Sequence, residues 1–473
     1  MITLPTRARL ASFLAVLLVL PFASSTATPG AARRAGPTVA HRDGRAMRAK
    51  GLPKVQTTSI DHLAGEPTLA IEDDGSIFYA AIDVPQLAKI DILRSADSGA
   101  TWTNASPKLA GQNLHPISID PYVHIDEVSQ RVFTIDLTVA CSYLSFTDDS
   151  GETWTTNPLA CGRPINDHQT LISGPPVSSA PLGFSSVLYY CWNDVFASSC
   201  TKSIDGGSTF IPTGEPAFLG VDPAQGPGVG GVPGVCGGLH GHGFVDAEGA
   251  LYIPRDYCGN PWLAISRDEG LTWERVQVAD NGVNGIGGGG SNPSVTVDDA
   301  GNIYFGWVAA NHLPYIATSS DAGATWSEPI QVGVPGLHEA NLFTIDSGAS
   351  GTLAFSYMGS LNSKYQECYP DCVGATPKTT WNGYVGMTSR ILAAKPLIYT
   401  GTVNDPADPL KVGTCGPGRC GDTILDFLDI VVGPDGVVNA AFVDACIDCT
   451  VNTLVDSGNE GLFVRFGKAR PHR

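Results

Sequence analysis

The stretch SADSGATW ends at Trp102, and close copies recur as FTDDSGETW ending at Trp154, SIDGGSTF at Phe210, SRDEGLTW at Trp273 and SSDAGATW at Trp326. A turn copied this often constrains the fold more than length does, because repeats imply one supersecondary unit whose copies bury one another. The Asp positions, read as Asp97, Asp148, Asp205, Asp268 and Asp321, lie 51, 57, 63 and 53 residues apart. That period fits one propeller blade with long loops.

Each turn follows a second signal, two alternating strands joined by a short polar turn, as in EPTLAIEDDGSIFYAAI, YVHIDEVSQRVFTIDL, HGFVDAEGALYIP and PSVTVDDAGNIYFGWV. These are β-hairpins by period and turn chemistry. The signal returns in NDHQTLISGPPVSSAPLGFSSVLYYCWND, NLFTIDSGASGTLAFSYM and DFLDIVVGPDGVVNAAFVD, so counting hairpins gives seven units. In the last unit EGLFVRFGKAR supplies a third strand and KVQTTSI, Lys54 to Ile60, the fourth, closing the ring from the other end of the chain. The expected fold is all-β, a propeller of seven four-stranded blades, with six the alternative, over residues 55–467 and with a tail at 468–473.

Arg7 and Arg9 precede an apolar run from Leu10 to Ala23 and then small residues, the order of a secretory signal cleaved near Ala27. The run is shorter than the roughly 20 residues a membrane span needs, so no membrane span is expected and the chain reads as secreted. Residues 28–54 mix Pro, Gly, Ala and Arg without an apolar period and read as a disordered leader. A net charge of −18 excludes nucleic acid as a partner, since phosphate binding needs clustered Lys and Arg. The 12 cysteines fall in close pairs, which export turns toward disulfides. A zinc site from Cys415, Cys420, Cys446 and Cys449 is the competing assignment.

The repeated turn resembles the Asp-box, or bacterial neuraminidase repeat, of sialidases, certain xyloglucan-cleaving glycosidases, sortilin-like receptors and a photosystem assembly factor. The resemblance implies the propeller and places the turn on the outer part of each blade, away from any catalytic face. The turn itself is structural: Asp accepts backbone bonds, Gly takes positive φ, and Thr and Trp anchor the next strand. Sialidases typically have six blades, three arginines for the sugar carboxylate and a Tyr nucleophile beside a Glu. Here the Phe-Arg-Ile-Pro motif is missing, and Arg163, Arg255 and Arg419 are the arginines expected near the mouth.

Residues just before each hairpin should converge on the central channel: Glu66, Tyr122 with His124, Asp167 with His168, His240 with His242, Asn292, His338 with Glu339 and Asn341, and Asp422 with Asp426. The expected catalytic set is Asp167, Glu339, His168, His240, His242 and Tyr257. Arg255, Glu66, Asn292, Asp422 and Arg163 are expected to bind substrate. Three functions remain open: a sialidase-like glycoside hydrolase using paired carboxylates, a polysaccharide lyase with His, Tyr and Arg, and a non-catalytic glycan- or protein-binding propeller. An extracellular glycan is the expected partner of a monomer. No cofactor is expected, with structural calcium in Asp-rich turns such as VDDAGN left open.

Overall fold

The computed structural model describes residues 28–83, 89–109, 112–113, 119–137, 142–160, 167–194, 197–220, 238–280, 292–368, 374, 376, 378–415, 420, 424–446 and 458–469. The predicted signal at 1–27 lies outside them, as do Arg163, Asp422 and Arg419.

The chain is an all-β propeller. Six four-stranded antiparallel blades follow one another along the sequence, with first strands Thr68–Ile71, Ile119–Ile125, Asp167–Gly174, Phe244–Val245, Ser294–Val297 and Glu339–Ser347. A further sheet is composite: Asp429–Val432, Val437–Asp444 and Glu460–Lys468 are completed by Val55–Leu63 from the opposite end of the chain. First strands of neighbouring sheets lie side by side, and Asp429–Val432 packs on both Glu339–Ser347 and Thr68–Ile71, so the circle closes.

Strands alternate faces, so each sheet turns one set of side chains to either neighbour. Ile172 and Tyr189 of the third blade interlock with Leu251, Ile253 and Trp273 of the fourth in one such seam. Each large apolar side chain buried there contributes about 1.5–3 kcal/mol, which makes the seams the main store of stability.

The five turns share one bonding scheme. In the first, Ser95 Oγ donates to Asp97 Oδ1 and accepts from Gly99 N, while Asp97 accepts from Thr101 N at 2.8 Å and from Thr101 Oγ1 at 2.7 Å. The same contacts recur at Asp205, Asp268 and Asp321. In the second turn the bonds belong to Asp149, not Asp148: Asp149 takes Thr153 N and Oγ1, whereas Asp148 pairs with Arg131 at 2.6 Å. The doubled Asp hides this register in sequence, and Thr147 standing where the others have Ser marks it. The aromatic that ends the turn reaches the preceding sheet. Trp154 Nε1 donates to Ala105 O at 2.8 Å, and Trp102 packs edge-on to Phe463 with centroids 5.5 Å apart. Gly99, at φ 86°, abuts Phe463 where a Cβ would collide.

Residues 28–54, expected as a disordered leader, are instead a strap. Thr28–Pro29 pairs with Thr101–Asn104, Ala32–Arg33 with Val55–Leu63, and Thr38–Arg42 with Ile398–Thr402, each capping the outer edge of a sheet. Arg34 meets Asp405 at 3.0 Å and buried His41 Nε2 meets Thr400 Oγ1 at 2.9 Å. Edge strands left open would pair with other chains, so backbone pairing here offsets what the unpatterned sequence lacks in hydrophobicity. The zinc assignment also fails, because Cys415 bonds to Cys420; Cys191 bonds to Cys200, and Cys258 and Cys446 are disulfide-bonded as well.

Candidate functional site

Bulges at the start of the inner strands aim side chains at the axis. Register shifts fall between Ile119 and Tyr122, Asp167 and Thr170, and Asn341 and Thr344. Inside them Asp120, His168 and Leu342 have φ of 52°, 47° and 53°; Glu66 at 47° and Leu425 at 69° precede the inner strands of the first blade and the composite sheet. Such conformations cost about 1–3 kcal/mol for non-glycine residues and persist only where packing enforces them, commonly beside functional sites.

They surround a partly open pocket at the mouth. Tyr122, His168, Gln169, His240, His242, Asn292, Phe343, Asp426 and Phe427 are among its walls. Phe427 stands between two imidazoles, its centroid 5.8 Å from both His168 and His242. Tyr122 lies edge-on to His242 at 5.3 Å.

Two carboxamides are held so that their oxygens stay open. Gln169 Nε2 donates to Asp120 O, and Asn292 Nδ2 donates to Asp426 O at 2.9 Å. Gln169 Oε1 and Asn292 Oδ1 are buried with no hydrogen-bond partner, as are both ring nitrogens of His240. Buried polar atoms are seldom left unpaired, because each costs about 1–3 kcal/mol.

Charge is organised around His168. Its Nε2 lies 3.6 Å from Asp426 Oδ2, an ion-pair distance beyond hydrogen-bond length. Burial opposes its cation, but Asp426, Asp167 and Asp120 outweigh burial and hold the pKa at about 9. Beneath the mouth Glu66 staples blades, accepting from Asp120 N at 3.1 Å and Asp426 N at 3.2 Å, while Asp120 Oδ2 accepts from His168 N at 3.2 Å. Burial, reinforced by Asp120 and Asp426, pushes the Glu66 carboxyl well up. Burial and the charges of Asp167 and Asp426 outweigh the nearby His168 cation and raise Asp120 to about 6. His240 is driven far below the usual imidazole range by burial and by the nearby His168 and Arg255 cations. His242 faces Asp429 at 3.6 Å.

Of the residues expected from sequence, the pocket brings together His168, His240, His242 and Asn292, with Tyr122 and Asp426. Glu66 lies under the mouth as a staple, and Asp167 is exposed at a strand start, reaching the site only through its charge on His168 and Asp120. Glu339 does not line the pocket. It is buried between the fifth and sixth blades, bonded to Ser363 Oγ and to His312 Nδ1 at 2.9 Å, with His312 stacked on Tyr365. Arg255 is buried inside the fourth blade, donating to Ser198 Oγ at 2.9 Å and Gly238 O at 3.0 Å, and Tyr257 Oη donates to Leu219 O at 2.9 Å. Neither lines the pocket: two residues apart on one strand, they share a face and both pack against Phe218 in the seam. His124 bonds Ser173 Oγ across a seam. Asp120, Gln169, Asp429 and Phe427 are the residues that alternation alone overlooks; the bulge moves Asp120 inward, and no turn residue announces it.

No group of three or more His, Cys, Asp or Glu suited to a metal occurs among the described residues. In the VDDAGN turn Asp298 spends its carboxylate on Asn302 N, Tyr304 Oη and Gly351 N.

No protein-family model matches the sequence. No curated protein matches it either. Solved propellers do resemble the fold. A Hadza microbial sialidase, Hz136, is 16% identical over 62% of this chain with a TM-score of 0.40, and the chain spans 63% of its length. An intramolecular trans-sialidase from Ruminococcus gnavus, in complex with oseltamivir carboxylate, is 12% identical over 87% of this chain and 95% of its own, TM-score 0.38. An Aleuria aurantia lectin mutant in complex with alpha-methyl-L-fucoside is 10% identical over 74% of this chain and 100% of its own, TM-score 0.42. These are likenesses of fold, and no residue's role passes across them.

Proposed function

We propose that the chain is an exported glycoside hydrolase, a seven-bladed Asp-box propeller when the composite sheet is counted as the closing blade, acting on a sugar held in the central pocket. The observation that carries this proposal is the pair of tethered carboxamides, Gln169 and Asn292, whose buried oxygens have no partner in the protein. Sugar hydroxyls are the donors such oxygens need, and Phe343 and Phe427 offer apolar surface to a ring's C–H face.

The chemistry follows from the charges. His168, cationic at neutral pH, is the acid that protonates the departing glycosidic oxygen. Asp426 beside it stabilises the positive charge of an oxocarbenium-like transition state, and once the leaving group has gone with the proton of His168, the imidazole left behind takes a proton from the water that attacks the sugar. The sialidase form of the reaction calls for arginines on the sugar carboxylate, and the described lining holds none. Export is supported by the apolar segment at 10–23 and by the disulfides.

Incubating the purified protein with sialosides, xyloglucan, neutral oligosaccharides and uronate polysaccharides tests the assignment. New reducing ends, lost in His168→Asn, are expected. Ultraviolet-absorbing unsaturated uronate would assign a lyase instead, and no product on any substrate would leave a binding propeller.

A further inference from the structure

Among the described residues around the mouth, acids outnumber cations. Asp426 lines the pocket, Asp429 stands 3.6 Å from His242, Asp120 lies beneath, and Asp167 is exposed at a strand start nearby. Among the described lining residues the strongly cationic group is His168, which already pairs with Asp426. Among the described lining residues there is no Lys or Arg, and Arg255 is committed to Ser198 and Gly238 within its blade.

We propose that this pocket selects uncharged sugars and rejects those bearing a carboxylate. The inference rests on the glycan assignment above and narrows it. Two independent physical reasons support it. A ligand carboxylate would enter beside Asp426, with Asp429 and Asp120 close by, and juxtaposed anions are disfavoured. It would also bring acceptors only to Gln169 Oε1 and Asn292 Oδ1, which need donors; a site whose buried polar groups are left unpaired discriminates strongly against the analogue that lacks the matching hydroxyl.

Isosteric pairs make the test direct. Calorimetric titration at pH 7.5 compares methyl galactoside with methyl galacturonate and methyl glucoside with methyl glucuronate, with N-acetylneuraminic acid alongside. The neutral member of at least one pair is expected to bind tenfold or more tightly than its acid. The gap should narrow at pH 5, where Asp120 is largely protonated and the ligand carboxylate is still ionised. In Asp426→Asn it should shrink to a few-fold. Equal or tighter binding of the acids overturns the selection while leaving a sugar site, and full discrimination in Asp426→Asn overturns charge as its cause. Absence of binding by every sugar overturns the glycan assignment itself, so the two failures are distinguishable.

Discussion

At the scale of single residues, the open oxygens of Gln169 and Asn292 and the His168 cation do different work, and substitutions should separate them. Gln169→Ala or Asn292→Ala should each weaken sugar binding by roughly tenfold, about 1–1.5 kcal/mol per hydrogen bond, as calorimetry would show. Thermal stability should fall modestly as well, because the amide donors to Asp120 O and Asp426 O are lost with each side chain, so binding is compared at a temperature where every variant is folded. His168 links the site to pH. Its pKa of about 9 exceeds the roughly 6.5 of an unfolded imidazole, so the folded state binds the extra proton between those values. Its contribution is full below pH 6.5 and is lost as pH rises toward 9, an effect of a few kcal/mol. Unfolding midpoints measured from pH 6.5 to 9 should decline in the wild type and stay flatter in His168→Gln. Asp120, raised to about 6, adds a loss of the same sign between about pH 4 and 6.

At the scale of elements, the repeated turn is a clip between sheets. Its Asp carboxylates titrate below their usual value because Thr and Ser hydroxyls and backbone N–H groups hold the charged form against what burial they have, to about 2 at Asp149. The sign is opposite to that of His168: the clip contributes fully above about pH 4 and is lost as pH falls toward 2. Asp205→Asn should lower the melting midpoint by roughly 1–3 °C and leave sugar binding unchanged, measured by calorimetry on the same samples. Hairpins and turns of this kind are legible in sequence because their signals are local: alternation, Asp-Gly turn chemistry, a terminal aromatic. The bulges that swing Asp120 and His168 to the axis are not, since an extra residue in a strand shifts every side chain beyond it to the other face. Hence His168, His240, His242 and Asn292 could be placed at the mouth from position in the repeat, while Glu339 and Arg255, chosen by the same logic, are held in the seams.

At the scale of the whole molecule, the ring closes where its two chain ends meet, and the strap from residue 28 to 47 covers that seam and both neighbours. Its order could not be read from composition, because its bonds are made by backbone to sheet edges distant in sequence. Gly30 has no space for a side chain, as a Cβ would fall on Ser59 O and Thr58. Gly30→Val should therefore loosen Val55–Leu63 from its cover, seen as faster amide exchange in that strand and faster unfolding, while strands of the third and fourth blades keep their protection. The central claim concerns the pocket, and equilibrium binding to an array of neutral glycans tests it most directly, comparing the wild type with Gln169→Ala/Asn292→Ala. Binding by the wild type that the double variant loses, with both proteins folded at the assay temperature, is the predicted result. Equal binding by the two, or binding by neither, would contradict a sugar site at the centre of the propeller.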